Sequence, residues 1–263
     1  MTFTQATALG ILQGATEFLP VSSSGHLAIA QHFLSDFSQP GILFDVLLHL
    51  GTMLAVIIYF RADLKRLLVA PWNRTDSGPS DRKFLLLIIV ASVPTAIIGL
   101  AGKDFAESLF ENMTAVACGL LLSGALLFAA EKLRRADSGR TELNLGDALI
   151  TGTLQGLAII PGISRSGSTI SGLLLRGVAG ETAARFSFLL ALPAVFGAAL
   201  LSLRDFNAVP AGELPIYLAG AAAAFVTGLA SIHFLLAIIR RRRLMLFALY
   251  CALAGTALLA ITL

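Results

Sequence analysis

Glu17 is a carboxylate inside an otherwise apolar stretch, four residues after Gln13, so the two project from one face of a helix. Pro20 follows, and then Ser22-Ser23-Ser24-Gly25-His26. Far along the chain, Pro161-Gly162 precedes Ser164-Arg165-Ser166-Gly167. Together these supply a carboxylate, an imidazole, a guanidinium and several hydroxyls. An ionisable group among apolar segments is costly enough to read as functional, and a lone guanidinium there needs an anionic partner. Serines after a proline break act as N-caps, and a helix N-terminus offers free N–H groups and the positive end of a dipole. Two such termini with Arg165 make a cradle for phosphate or diphosphate. Within it the serines are candidate nucleophiles and His26 a candidate base, with Glu17 adding a carboxylate.

The two breaks sit in a repeated phrase. Gly10-Ile11-Leu12-Gln13-Gly14 leads into the first, and Gly152-Thr153-Leu154-Gln155-Gly156 into the second. Gln13 and Gln155 are 142 positions apart, as are Gly25 and Gly167, while Pro20 and Pro161 are 141 apart. The shared letters are Gln, Pro, Ser and Gly, which apolar bias does not produce.

The elements that must hold these residues are membrane helices. Hydrophobic residues make up 56% of the chain and charged ones 13%, about half the charge of a soluble protein. Mean hydropathy is +0.83. Apolar runs long enough to span a bilayer cover roughly 42–60, 84–102, 113–130, 184–203, 216–239 and 244–262. Two further stretches, 5–34 and 145–178, each hold two short helical pieces joined by the Pro/Ser/Gly break. They read as re-entrant hairpins, tolerated only where protein covers the broken backbone or a cavity adjoins it. The fold class is thus an all-α integral membrane protein with six transmembrane helices and two re-entrant helical hairpins. The chain, 1–263, is one membrane domain with inverted repeats at about 1–130 and 145–263.

Loop charges set the expected orientation. Arg61, Lys65, Arg66, Arg74, Arg82 and Lys83 crowd 61–83, Lys132, Arg134, Arg135 and Arg140 crowd 131–144, and Arg240 to Arg243 form a run. The connections 103–112 and 204–215 are poor in such residues. The positive-inside rule places the three basic loops in the cytoplasm and both termini outside. An odd number of spans separates the hairpins, so they enter from opposite sides, as inverted-topology repeats do. The Arg240–Arg243 run suits anionic lipid headgroups. Residues 1–60 contain no Lys or Arg, which argues against a signal peptide. No long charged tail points to nucleic acid. Cys118 and Cys251 fall inside spans and are expected as small core residues. Asp45 and His49, four apart in the first span, are expected to play structural roles, paired with one another or behind the site.

Gln13 and the run from Glu17 to His26 resemble the first signature of the bacitracin-resistance type undecaprenyl-diphosphate phosphatases, and Pro161 to Gly167 resembles their second. The likeness extends through Phe44 to Phe60 and Phe186 to Pro193. Where many members carry Glu, this chain has Gln13. The resemblance implies hydrolysis of a C55 isoprenoid diphosphate, recycling a lipid carrier for the cell wall. It also implies a divalent metal, Mg²⁺ or Ca²⁺, and a site in the bacterial inner membrane facing the periplasm. On this reading Glu17, Ser23, His26 and Arg165 are catalytic, with Ser23 the nucleophile and Glu17 or His26 its base; attack by water is the competing version. Ser22, Ser24, Gly25, Ser164, Ser166 and Gly167 bind substrate, and Glu17 and Gln13 hold the metal. Partners are the polyprenyl substrate and membrane lipids, with a homodimer left open. A secondary transporter or lipid-phosphate flippase using the same midplane site is the rival reading, and a scaffold without chemistry the third.

Overall fold

The computed structural model describes residues 1–34, 43–72, 78–134, 139–202 and 212–262. Arg74, Arg135 and the first residues of the 204–215 connection lie outside these. Among the described residues there are twelve helices and no strand beyond one isolated bridge, Arg140 to Val178. The first hairpin is α1 (Phe3–Glu17) and α2 (Ser23–Phe33), and the second is α8 (Leu145–Leu157) and α9 (Arg165–Leu175). The spans are α3 (Leu43–Tyr59), α5 (Gly78–Ala101), α7 (Met113–Leu133), α10 (Gly180–Ser202), α11 (Leu214–Arg240) and α12 (Met245–Thr262). Five of these are long and apolar enough to cross a bilayer, and α3 joins them when taken with α4 (Arg61–Val69), which turns off it by 77°. The short α6 (Lys103–Leu109) follows α5. Helices therefore cover all six apolar runs and both interrupted stretches, five of them spans by length and composition and six when α3 and α4 count as one.

Local chemistry fixes the helix starts. Thr2 and Gln5 form a capping box on α1, Asn144 and Asp147 form one on α8, and Asn112 caps α7. The outward faces stay apolar: Ile97 and Leu100 on α5 and Leu253 on α12 are each more than 60% exposed, as lipid contact requires. Cys251 is buried as expected. Cys118 is not: it is exposed on the outer face of α7, because the helix turns Ala117, Gly119 and Leu120 inward instead.

The hairpins do not simply lie beside their own half. α1 packs on α11 and α8 packs on α5. Both crossings depend on equivalent glycines that let backbones touch: a Cβ on Gly10 would lie 2.1 Å from the Gly220 carbonyl oxygen, and one on Gly152 would lie 2.0 Å from that of Ala91.

The basic loops gather at one end of the bundle. Arg185 pairs with Asp63 at 2.6 Å, Lys83 with Glu142 at 3.3 Å and Arg240 with Glu181 at 3.0 Å. There too Asp147, fully buried, accepts two hydrogen bonds from Arg140 at 2.6 Å and one from Arg176 at 2.6 Å. These bonds tie both ends of the second hairpin to the 139–144 segment. Met1 and Glu213 meet elsewhere, at 3.9 Å. Asp147→Ala removes the shared acceptor of two arginines that solvent can still reach, together with the α8 capping box, and is expected to destabilise the protein by about 1–3 kcal/mol. Thermal unfolding in detergent measures this, and a shift within error of zero would show the cluster to be incidental.

Candidate active site

Pro20 and Pro161 end their half-helices by removing a donor and constraining the preceding residue. Ser22 then caps α2, its Oγ accepting from Gly25 N–H at 3.2 Å, and Ser164 caps α9, accepting from Gly167 N–H at 3.0 Å. In each break the capping hydroxyl lies 3.3 Å from the hydroxyl two residues on, Ser24 or Ser166. Each break also needs one residue at positive φ: Gly162 (87°) in the second, Ser22 (70°) in the first. Glycine adopts that conformation freely, whereas a serine held there is strained.

The two breaks touch. A Cβ on Gly25 would stand 3.0 Å from Gly162 Cα, and one on Gly167 would stand 3.3 Å from Pro20 Cβ. Ser166 Oγ donates to the Leu19 carbonyl at 3.2 Å. Neighbouring spans cover the interrupted backbone. Ser123 on α7 donates to the Gly162 carbonyl at 3.0 Å and accepts from Ser164 N–H at 2.8 Å, and Cys251 Sγ on α12 lies 3.6 Å from the Pro20 carbonyl.

Glu17 is the hub. Its side chain is only 4% exposed. Oε1 accepts from Arg165 Nη2 at 2.7 Å, while Oε2 accepts from Ser23 Oγ at 2.6 Å and Gln13 Nε2 at 2.8 Å. Ser23 and Arg165 are the first residues of α2 and α9, so their own N–H groups have no acceptor within the helix. Carboxylate, nucleophile candidate, guanidinium and two helix N-termini thus converge.

Other candidates are placed differently. Ser22 and Ser164 are nearly fully buried and spend their hydroxyls on caps, which also occupy the Gly25 and Gly167 N–H groups. Ser24 is partly exposed and Ser166 buried. The His26 ring makes no hydrogen bond to Glu17 or Ser23; Nδ1 bonds the Ser22 carbonyl at 2.7 Å and Nε2 the Tyr250 hydroxyl at 2.5 Å. His49 had been expected in a structural role. It bonds the backbone carbonyl of Asp45 at 2.8 Å and turns Nε2 to within 3.6 Å of Glu17 Oε2. The Asp45 carboxylate accepts from Gln31 at 2.7 Å. The i,i+4 spacing placed Asp45 and His49 on one face but could not say what that face met.

The model of the family described as bacitracin resistance protein BacA matches residues 6–257. A protein named undecaprenyl-diphosphatase from Syntrophotalea carbinolica is 57% identical over 262 residues, covering 100% of both chains. Proteins of the same name from Carboxydothermus hydrogenoformans and Desulforapulum autotrophicum are 41% and 40% identical, each alignment covering at least 95% of both chains. The chain belongs to the BacA family.

In this BacA-family chain the oxygen donors around Glu17 suit a hard divalent cation. Gln13 Oε1 is buried and has no hydrogen-bond partner, beside a carboxylate. Gln13 and Glu17 would hold such an ion. Among the described residues no three His, Cys, Asp or Glu side chains converge, so the rest of its shell would come from substrate and water.

Arg165→Met would leave the Glu17 charge buried without its guanidinium, with an expected loss of about 3–5 kcal/mol. Adding Glu17→Gln should recover part of that loss. Thermal unfolding of both single variants and the double variant gives the coupling, and strict additivity would rule out a stabilising pair.

Proposed function

We propose that this protein hydrolyses undecaprenyl diphosphate to undecaprenyl phosphate and inorganic phosphate, the activity named in its full-length relatives. The observation that carries the reading is the Ser23 hydroxyl on a carboxylate that Arg165 holds from the opposite hairpin. The broken hairpins alone also allowed a transporter, but the relatives' names lend that reading no support.

The diphosphate would lie over the N-termini of α2 and α9, with the polyprenyl tail among the apolar spans. Ser23 Oγ attacks the terminal phosphorus as Glu17 Oε2 takes its proton. The bond from that phosphorus to the bridging oxygen breaks, and the lipid monophosphate leaves. Water then cleaves the phosphoserine, and inorganic phosphate departs. Arg165 and the free N–H groups offset negative charge on the transferring group. A bound Mg²⁺ or Ca²⁺ would supply further charge neutralisation, held by Glu17 and Gln13.

We place the protein in the bacterial cytoplasmic membrane. The end of the bundle carrying Lys83, Arg185 and Arg240 faces the cytoplasm by the positive-inside rule. The first hairpin then enters from the periplasm and the second from the cytoplasm, as inverted repeats. The reciprocal packing of α1 on α11 and of α8 on α5 supports that arrangement.

Purified protein in detergent is expected to release phosphate from undecaprenyl diphosphate, to lose this with a chelator and to regain it with Mg²⁺ or Ca²⁺. Glu17→Ala, His26→Ala and Arg165→Ala should each lower kcat by about 10²–10³ or more while the protein still folds. Near-normal turnover of Arg165→Ala would sink the cradle. Phosphate trapped on Ser23 would identify covalent catalysis; release without it in rapid-quench experiments would favour direct attack by water.

A further inference from the structure

The contact between α12 and the first break assigns a role to a residue outside both signatures. His26 Nδ1 lies 2.7 Å from the Ser22 carbonyl oxygen, which only accepts, so Nδ1 carries a proton. In the neutral ring Nε2 is then an acceptor, and the hydroxyl 2.5 Å from it belongs to Tyr250. The two rings lie nearly parallel, at 12°, with centroids 5.6 Å apart. The imidazole is therefore held at both nitrogens, one by the first break and the other by α12.

Tyr250 has a second contact. It lines an open groove of about 290 Å³ with Thr16, Leu19, Val21, Leu246 and Phe247, beside the first break and lined almost wholly by apolar groups. Tyr250 itself is 45% exposed, so the ring is reached from outside the bundle while its hydroxyl reaches the site. A phenol combines these two roles because its body is apolar and its tip polar.

We propose that Tyr250 is a positioning residue for His26, and that its ring forms part of the wall seating the lipid end of the substrate. The hydroxyl donates to Nε2, fixing the ring orientation and leaving the single Nδ1–H tautomer. The proposal rests on the phosphatase reading for its kinetics but not for its spectroscopy.

The test compares Tyr250→Phe with Tyr250→Leu on undecaprenyl diphosphate, together with ¹⁵N spectra of histidine-labelled protein, His26 being assigned by its loss in His26→Gln. Tyr250→Phe keeps the ring, so KM should stay within about twofold while kcat falls about tenfold, the worth of one hydrogen bond. Tyr250→Leu should raise KM as well. In the wild type the His26 Nε2 resonance should be that of an unprotonated, hydrogen-bonded nitrogen, and it should move downfield in Tyr250→Phe. Wild-type kcat in Tyr250→Phe, or a wild-type spectrum with Nε2 protonated or unbonded, would overturn the proposal. If the wild type releases no phosphate, the phosphatase reading fails while the spectra still decide the His26–Tyr250 bond.

Discussion

A carboxylate that is almost fully enclosed among membrane helices needs compensating charge and hydrogen bonds around it. Glu17 has both, and the charge comes from a residue 148 positions away. That single contact ties the outcome of folding in one hairpin to the other. It requires both half-helices to stop at the same depth, both breaks to expose their next helix end, and the two ends to approach closely. Each requirement is visible: Gly25 against Gly162, Gly167 against Pro20, and spans α7 and α12 covering the loose backbone. Small residues at these points are thus a consequence of the ion pair, since any added side chain would separate the ends.

The two breaks use the same scaffold for different chemistry. Capping hydroxyl, hydroxyl pair and leading glycine recur almost unchanged. What differs is the first residue of the following helix, Ser23 in one and Arg165 in the other. Where the first half has Glu17, the second has only Ala158 and Ile159. Gln13 turns its amide to Glu17, whereas Gln155 donates to the Leu190 carbonyl at 3.2 Å. One copy thus contributes the carboxylate and hydroxyl, the other the guanidinium, so neither holds a complete site.

Much of this was legible before any coordinates. The six spans end within a few residues of the apolar runs because hydrophobic length is a one-dimensional property. The Pro and Ser signals placed both breaks, since they act within a turn of the chain. Glu17 and Arg165 stood out because charged groups in apolar surroundings do, whereas the residues alone did not separate one serine from the next. His49 and Tyr250 were not, for a common reason: each matters through a partner on another helix, and helical rotation is not encoded by spacing alone. Cys118 shows the same gap in reverse, a small apolar residue that the rotation of α7 turns outward. The serines raised a third difficulty, because capping and phosphate binding call for the same residue at the same place.

That ambiguity separates the roles of Glu17 and His26. A base for Ser23 must lie within hydrogen-bond reach of its hydroxyl, and Glu17 Oε2 does so at 2.6 Å. His26 begins one turn further along α2 and has both nitrogens engaged elsewhere. Its own N–H and that of Gly25 are spent on Ser22, the N-cap of α2. Glu17 and His26 are thus held by different elements: the carboxylate by the hairpin crossing, the imidazole by the Ser22 carbonyl and by Tyr250 of α12. The carboxylate can therefore accept the Ser23 proton where it stands, whereas the imidazole would have to give up one of its two bonds before either nitrogen met a headgroup.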